Sequence, residues 1–441
     1  MRVLIINSGS SSLKFALFDM AREAVLLSGT VERIGEADSN SIFRAYLASG
    51  AVVEDIQHLP VADHPAGLQQ VLAYIEVQHP QAMQSLHGIG HRVVHGGERF
   101  QAATLIDAEV LLQIAEMVPL APLHNPANLA GIEAMRRLCP QLPQVAVFDT
   151  AFFRTLPAHA YRYALPDALY QDHQVRRYGF HGSSHQYISR RAAEYLQPQQ
   201  NSLRFITLHL GNGASVAAIR DGICIDTSMG MTPLAGLMMG TRCGDLDPAV
   251  HFYLGRTLGL GLDQIETLLN QNSGMKGLCG VSDMREVHRL ADQGDERARL
   301  AIEMYCYQIY KYIGAYYVAL GGLDALVFSG GIGENDSVIR QLICNKLSVL
   351  GVSIKQPPGS RDKTKKFLNK SFRRMPESSN HQITLDSSLR RSDKNNINQS
   401  FPDTIDISAE NSKVKVLVIQ TNEELEIARQ TVAVINKHNP P

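Results

Sequence analysis

Two arginines, a histidine and an aspartate stand in surroundings suited to handling two anions at once. Arg92 lies inside the strand-like GIGHRVVHGG, and Arg242 lies in MMGTRCGDLDP among glycines and small residues. A guanidinium in either place needs an anion or a carboxylate partner to justify leaving water. One account is an internal ion pair with Asp149, Asp245 or Asp247. The other is a clamp on a transferring phosphoryl group, a task for which arginine is suited. His181, in RRYGFHGSSHQYI, follows an aromatic and precedes a serine-rich helix start, which places it at a helix amino terminus where anions bind. His181 and His185 are four apart, yet no third ligand of zinc-site spacing accompanies them. Asp149 ends the strand QVAVFD, where open α/β sheets place functional carboxylates. It could equally cap the turn TAF.

Three segments supply the loops such chemistry needs: VLIINSGSSSLKFALFD, FITLHLGNGASVAAIRDG and ALVFSGGIGEN. Each is an apolar, β-branched run that breaks into Gly, Ser and Asn, and the first two resume as a second apolar run. That pattern is strand, tight turn, strand. Glycine and serine allow close backbone approach, and successive N–H groups in such a turn form a concave donor array for phosphate. The first is not a GxxxxGK[ST] loop, because Lys14 directly follows Leu13 and no helix comes after it. Alone, NSGSSSLK or HLGNGAS could be an ordinary polar or type I′ turn. Together with SGGIGEN they point to one nucleotide gripped from both sides by two related half-molecules.

The elements around these segments form an ordinary globular chain. With 441 residues there is room for two domains, and 44% hydrophobic against 19% charged residues argues against a fibrous or membrane protein. A net charge of −1 gives no global attraction to nucleic acid or anionic lipid, so anion recognition must be local. Six scattered cysteines without CxxC read as reduced thiols, and the apolar run before Asn7 is too short for a signal peptide, so a cytoplasmic protein is expected. The apolar stretch from Tyr312 reads as a buried helix feeding a core strand. Helices are expected near 66–78, 262–270, 284–293 and 295–320, a strand at 413–420, and a helix in TNEELEIARQTVAVIN capped by Thr421 or Asn422. The stretch 32–65 reads as polar and variable. One architecture occurs twice by pattern. After 354 a basic, Ser/Asn-rich stretch without periodicity reads as disordered until regular pattern returns at 413.

In order and spacing, INSGSSSLKF, GHRVVHGGERF, APLHNPAN, VAVFDTAF, YGFHGSSH, HLGNGAS, DTSMGMTPL, MGTRCGDLDP, SGGIGEN and TNEEL closely resemble the acetate kinase family, of the sugar kinase, Hsp70 and actin superfamily. The resemblance spans the chain except for about 355–408. It implies an α/β, two-domain, actin-like ATPase (ribonuclease H-like) fold with a duplicated core of mixed sheets flanked by helices. Domain I would be 1–150 plus 424–441, and domain II 151–423, with 355–408 an insert and the active site in the cleft. The resemblance further implies that Asn7 and Glu423 position Mg²⁺, with Mn²⁺ an alternative, and that Ser10, Ser12 and Lys14 form the first phosphate loop. Arg92, Arg242 and His181 would surround the transferred phosphoryl, with Asp149 beside the substrate carboxylate. His209, Leu210, Gly211, Asn212 and Gly213 would meet the phosphates of ATP. Asp283, Arg285, Gly331 and Ile332 would hold the adenosine, Met284, Gly330, Gly333 and Asn335 would complete the nucleotide site, and Val94, Leu123, Phe180 and Pro233 would join Arg92 in the acyl pocket. Acetate and ATP as substrates and a homodimer are likewise implied, with no nucleic acid or membrane partner.

The chemistry agrees with that implication. A carboxylate is already ionised near neutrality, so it needs no general base to attack phosphorus. The protein must instead screen two anions from one another, which two arginines, a histidine and a divalent cation can do. A propionate or butyrate kinase would share nearly all these segments. An Hsp70-like or actin-like ATPase module would need no clamp for a second anion.

Overall fold

The computed structural model describes residues 1–47, 49–196, 202–355 and 403–438. It contains two compact units, the first made of Met1–Tyr187, Met229–Pro233 and Asn422–Pro441, the second of Ile188–Ser228 and Leu234–Thr421. Where the sequence suggested limits near 150 and 423, the first unit runs on to Tyr187 and takes in Asn422 and Glu423. The backbone contact between Gly182 and Asp149 described below ties the later segment to the first sheet.

The first unit is built on an eight-stranded sheet. Its strands are β1 (Arg2–Ser8), β2 (Ser12–Asp19), β3 (Ala24–Glu32), β4 (Asn40–Tyr46), β5 (Val52–Gln57), β6 (Leu86–Val93), β7 (Thr104–Leu105) and β8 (Gln144–Phe148). They lie in the order β5-β4-β3-β2-β1-β6-β8-β7. β1 is antiparallel to β2 and parallel to β6, and β6 is parallel to β8. Val3, Leu4, Ile5 and Ile6 are all buried because both faces of β1 are covered, which is why that strand reads as an unbroken apolar run. On one face, the helices His64–Gln78 and Asn125–Leu138 pack Leu68, Val71, Ile75 and Met135 against Leu4, Ile6, Leu13 and Leu17. Each such side chain contributes about 1.5–3 kcal/mol of burial. The helix Glu423–His438 lies against β1, β6 and β8. Its approach explains the glycines of GIG: a Cβ on Gly88 would come within 2.3 Å of Ile435 Cδ1, and one on Gly90 within 2.3 Å of Thr431 Oγ1. The stretch 32–65 holds β4 and β5, so it is not merely polar connection. NSIFRAY alternates half-buried and buried residues, whereas β5 is a mostly exposed outer strand whose Val52, Val53 and Ile56 resemble loop residues in their exposure.

The second unit repeats this plan. β9 (Arg204–Leu210), β10 (Ala214–Arg220), β11 (Ile223–Thr227), β12 (Ala325–Ser329), β13 (Thr404–Asp406) and β14 (Lys415–Ile419) lie in the order β11-β10-β9-β12-β14-β13. The run β11-β10-β9 is an antiparallel meander like β3-β2-β1, while β12 and β14 add in parallel as β6 and β8 do. Both sheets end in a short antiparallel strand, β7 and β13. This matches the duplication expected from pattern and the mixed-sheet α/β fold that the resemblance implies. The helices Leu262–Gln271, Met284–Asp292 and Glu296–Leu320 fall where periodicity predicts them. Asp295 caps the last through the Arg297 and Ala298 amides, and Gly321 at φ 69° ends it. Among the described residues no helix is long and apolar enough to cross a membrane. Most of the expected 355–408 insert lies outside the described residues, but its last part does not. Thr404–Asp406 pairs with β14, and Lys355 N–H donates to the Ile407 carbonyl at 2.8 Å, so regular structure resumes before 413. A three-residue strand is too short to show a period.

Candidate active site

In the first unit the hairpin closes within four residues, where Gly9 N–H donates to the Ser12 carbonyl at 2.7 Å. Ser10 and Ser11 project into solvent at its tip. Asn7 and Lys14 are cross-strand partners just before the turn, so their side chains share one face of the sheet. His64 Nε2 holds the loop from outside through the Gly9 carbonyl at 2.7 Å.

Arg92 and Asp149 come together at the carboxyl ends of the parallel neighbours β6 and β8. Arg92 Nε donates to Asp149 Oδ1 at 3.0 Å and Oδ2 at 3.2 Å, and Nη2 donates to Oδ2 at 2.6 Å. The fork is side-on and charge-assisted. Asp149 is 1% exposed and Arg92 20%, and Arg92 Nη1 makes no hydrogen bond to a described residue. The two accounts of Arg92 are therefore compatible: one edge pairs with Asp149 while a third nitrogen stays available to an anion. Burial opposes the Arg92 charge, but Asp149 and Glu423 outweigh it and hold the guanidinium protonated. Glu423 opens its helix, which Asn422 Oδ1 caps at the Leu425 amide at 2.9 Å. Burial pushes the Glu423 carboxyl up, against the pull of Arg92 and Lys14 and with the push of Asp149. Glu424 is also raised, by burial and then by Glu423. The buried carboxylates of Glu423 and Glu424 are hard oxygen donors of the kind that suits a divalent cation.

His181 directly precedes the helix Gly182–Leu196, as expected, in a left-handed conformation at φ 60°. Such a backbone in a residue other than glycine is strained by about 1–3 kcal/mol. The next residue explains how it is held. Gly182 N–H donates to the Asp149 carbonyl at 3.1 Å, and a Cβ there would lie 2.1 Å from that oxygen. Gly182→Ala must therefore push the Asp149 and His181 loops apart. It is expected to lower turnover by about tenfold or more and also to lower Tm; a variant with unchanged kcat would show the contact to be unimportant. His185 is fully buried, edge-on to Phe153 at 6.0 Å. Of the residues expected in an acyl pocket, Val94 and Phe180 are buried and Leu123 is 48% exposed. The His95 ring packs edge-on to Phe180 at 5.5 Å.

The second unit contains a cavity of about 900 Å³ lined by Gly211, Asn212, Asp283, Met284, Arg285, Gly331, Ile332 and Asn335. These residues of the expected nucleotide set come together from segments far apart in sequence. Leu210, Gly330 and Gly333 are buried, and Gly330, at φ 75°, packs where a Cβ would meet the Leu210 carbonyl at 2.7 Å. His209 and Gly213 flank the β9–β10 turn, closed by Gly211 N–H to the Gly213 carbonyl at 2.9 Å. Asp283 caps its helix through the Arg285 amide and takes a fork from the Arg285 side chain, which pulls its carboxyl down to about 2. Ser282, His288, Asp292 and Asp336 also line the cavity and were not singled out in the sequence. His288 lies one helical turn after Met284 and bonds Asp336 Oδ2 at 2.7 Å. Glu334 was missed as well. Its Oε1 accepts from the Gly330 amide at 2.9 Å and the Thr421 amide at 3.0 Å, joining the start of the short helix Gly330–Asn335 to the chain after β14.

Arg242 is half-buried, with Nη1 3.7 Å from Met239 Sδ, and burial lowers its pKa. Asp245 accepts from the Gly236 amide at 2.8 Å and the Tyr312 hydroxyl at 2.6 Å, and Asp247 accepts from the Ala249 amide at 2.9 Å.

Comparison with known proteins identifies the family. The acetokinase family profile matches residues 2–378. An acetate kinase from Syntrophobacter fumaroxidans is 46% identical over 440 residues, covering 99% of this chain and 98% of that protein. The crystal structure of a propionate kinase from Francisella tularensis is 38% identical with a TM-score of 0.83, covering 98% of this chain and 99% of that one. The Porphyromonas gingivalis acetate kinase structure is 40% identical with a TM-score of 0.80, at the same coverage. With this much of the chain matched, it belongs to the acetokinase family.

Proposed function

We propose that the protein is an acetate kinase that moves the γ-phosphoryl group of ATP directly and reversibly to acetate, giving acetyl phosphate and ADP. The observation that carries the proposal is the Arg92 guanidinium, forked on buried Asp149 with Nη1 uncommitted. That geometry suits an anion that must be bound and oriented without being deprotonated. Acetate attacks phosphorus through a carboxylate oxygen, the bond from the γ-phosphorus to the β,γ-bridging oxygen breaks, and the electron pair leaves with ADP. Arg92, Arg242 and His181 offset charge on the equatorial oxygens. Asp149 orients Arg92 and is not a base. Ser10, Ser12, Lys14 and the turn at Gly211–213 hold phosphates, while the cavity at Asp283–Arg285 and Gly331–Asn335 holds adenosine. Asn7 and Glu423 would hold Mg²⁺, or Mn²⁺, which supplies a Lewis acid to the phosphate oxygens.

Acyl size rests on Val94. One methylene discriminates by about 1–3 kcal/mol, so propionate is expected to be a poorer substrate and not an excluded one. Val94→Ala should raise the propionate-to-acetate ratio of kcat/KM, and an unchanged ratio would remove Val94 from the pocket. A cytoplasmic homodimer completes the proposal. Phe252, Tyr253, Leu258 and Leu262 give the second unit an exposed apolar face that a second copy would cover. Transfer from ATP made chiral at the γ-phosphorus tests the direct step. A single displacement inverts the configuration, whereas retention would require a phosphorylated enzyme intermediate.

A further inference from the structure

Two asparagines of the segment APLHNPAN, Asn125 and Asn128, stand in the first turn of the helix Asn125–Leu138. β1 stops at Ser8 and β6 at Val93, so the two chains part just where the phosphate hairpin and the acyl-pocket residue Val94 begin. Asn128, 3% exposed, bridges them with a single amide. Its Nδ2 donates to the Ser8 carbonyl at 2.7 Å and its Oδ1 accepts from Val94 N–H at 3.0 Å. Only one orientation of the amide satisfies both, because a carbonyl cannot donate and an N–H cannot accept. Asn125, one turn earlier and fully buried, holds the following residue in the same way: Oδ1 accepts from His95 N–H at 3.1 Å, and Nδ2 donates to the His95 carbonyl at 3.0 Å. One turn after Asn128 the helix presses on the same hairpin, since a Cβ on Gly131 would lie 2.2 Å from Ser8 Oγ. The helix thus stands in for a ladder the sheet no longer provides.

We propose that Asn128 is a positioning residue that sets the spacing between the first phosphate hairpin and the acyl-binding strand end, and so holds acceptor and phosphate acids in register for transfer. The inference rests on the reading of the Ser10–Lys14 loop and Val94 as site residues. Misplacement of reacting groups by about 1 Å can cost about 10²-fold in rate, so a lost bridge is expected to register in kcat more than in folding.

Four variants test this in the full-length protein: Asn128→Ala, Asn128→Asp, Val94→Ala and Met135→Ala. The last removes a fully buried side chain from the same helix on the core side. Each is assayed for kcat, KM for ATP and acetate, the propionate-to-acetate ratio and Tm. Asn128→Asp keeps the acceptor for Val94 N–H and sets an oxygen against the Ser8 carbonyl. It should lower kcat or raise the KM for ATP by about tenfold or more while leaving the acyl ratio within about twofold. Asn128→Ala, which loses both arms, should also move the acyl ratio. Met135→Ala should lower Tm at least as far while holding kcat within about twofold. The proposal is overturned if the Asn128 variants keep wild-type kinetics, or if their losses match Met135→Ala at equal loss of Tm. If Val94→Ala leaves the acyl ratio unchanged, the site reading fails instead. Should the alanine variant not fold, the isosteric aspartate variant carries the comparison.

Discussion

Replacing Arg242 with alanine is expected to cut kcat by about 10²-fold or more, with a smaller change in the KM for acetate. Burial presses against the Arg242 charge. A guanidinium kept under those conditions is best used where negative charge spreads during transfer. An interaction stronger in the transition state than in the ground state lowers kcat when removed, whereas uniform binding only raises KM. Steady-state kinetics on the purified variant separates the two, and a loss confined to KM would remove Arg242 from phosphoryl stabilisation.

Glu423→Gln should produce a second large effect with opposite consequences for activity and stability. Turnover is expected to fall by about 10²-fold or more, since a metal's charge stabilisation is worth several kcal/mol and each 1.36 kcal/mol is tenfold. The metal-free protein should melt no lower than wild type. In the folded chain, burial raises the Glu423 carboxyl above its ordinary range, so the folded state binds that proton more tightly than the unfolded chain does. Its contribution is most favourable below the ordinary carboxylate pKa and is lost as pH rises through the raised folded value. Glutamine removes that loss at neutral pH. Mg²⁺ should raise the wild-type Tm at pH 7, do so less as pH falls toward the Glu423 pKa, and leave the variant unmoved. Differential scanning calorimetry with and without Mg²⁺ measures this; a variant that melts lower and keeps the Mg²⁺ response would contradict the metal role.

Much of the fold was legible because both sheets write their burial into the sequence. VLII in β1 and the fully buried ALVFS of β12 are unbroken apolar runs, and each is followed by a glycine-containing segment. The outer hairpin β4–β5 was not legible, since a strand exposed on one side and at its edge lacks the apolar pattern that reveals the others. Among the candidate site residues, those in or beside turns of unusual composition stood out, as at Asn7, His181 and Gly211. Asp149 was one of three possible partners for the arginines, but its fork with Arg92 depends on β6 and β8 being parallel neighbours, which no local pattern records. Glu334, Asn128 and Gly182 escaped for the same reason. Each acts on a backbone atom distant in sequence, at Thr421, at Ser8 and Val94, and at Asp149.

The measurement that bears most directly on the central claim is ADP formation from ATP and Mg²⁺ in the presence of acetate, propionate, butyrate or no acid, with hydroxylamine to trap acyl phosphate. The account predicts turnover that depends on acetate, weaker turnover with propionate, and recovery of acetyl hydroxamate in proportion to the ADP formed. ADP release that ignores every carboxylate and leaves no hydroxamate would contradict it.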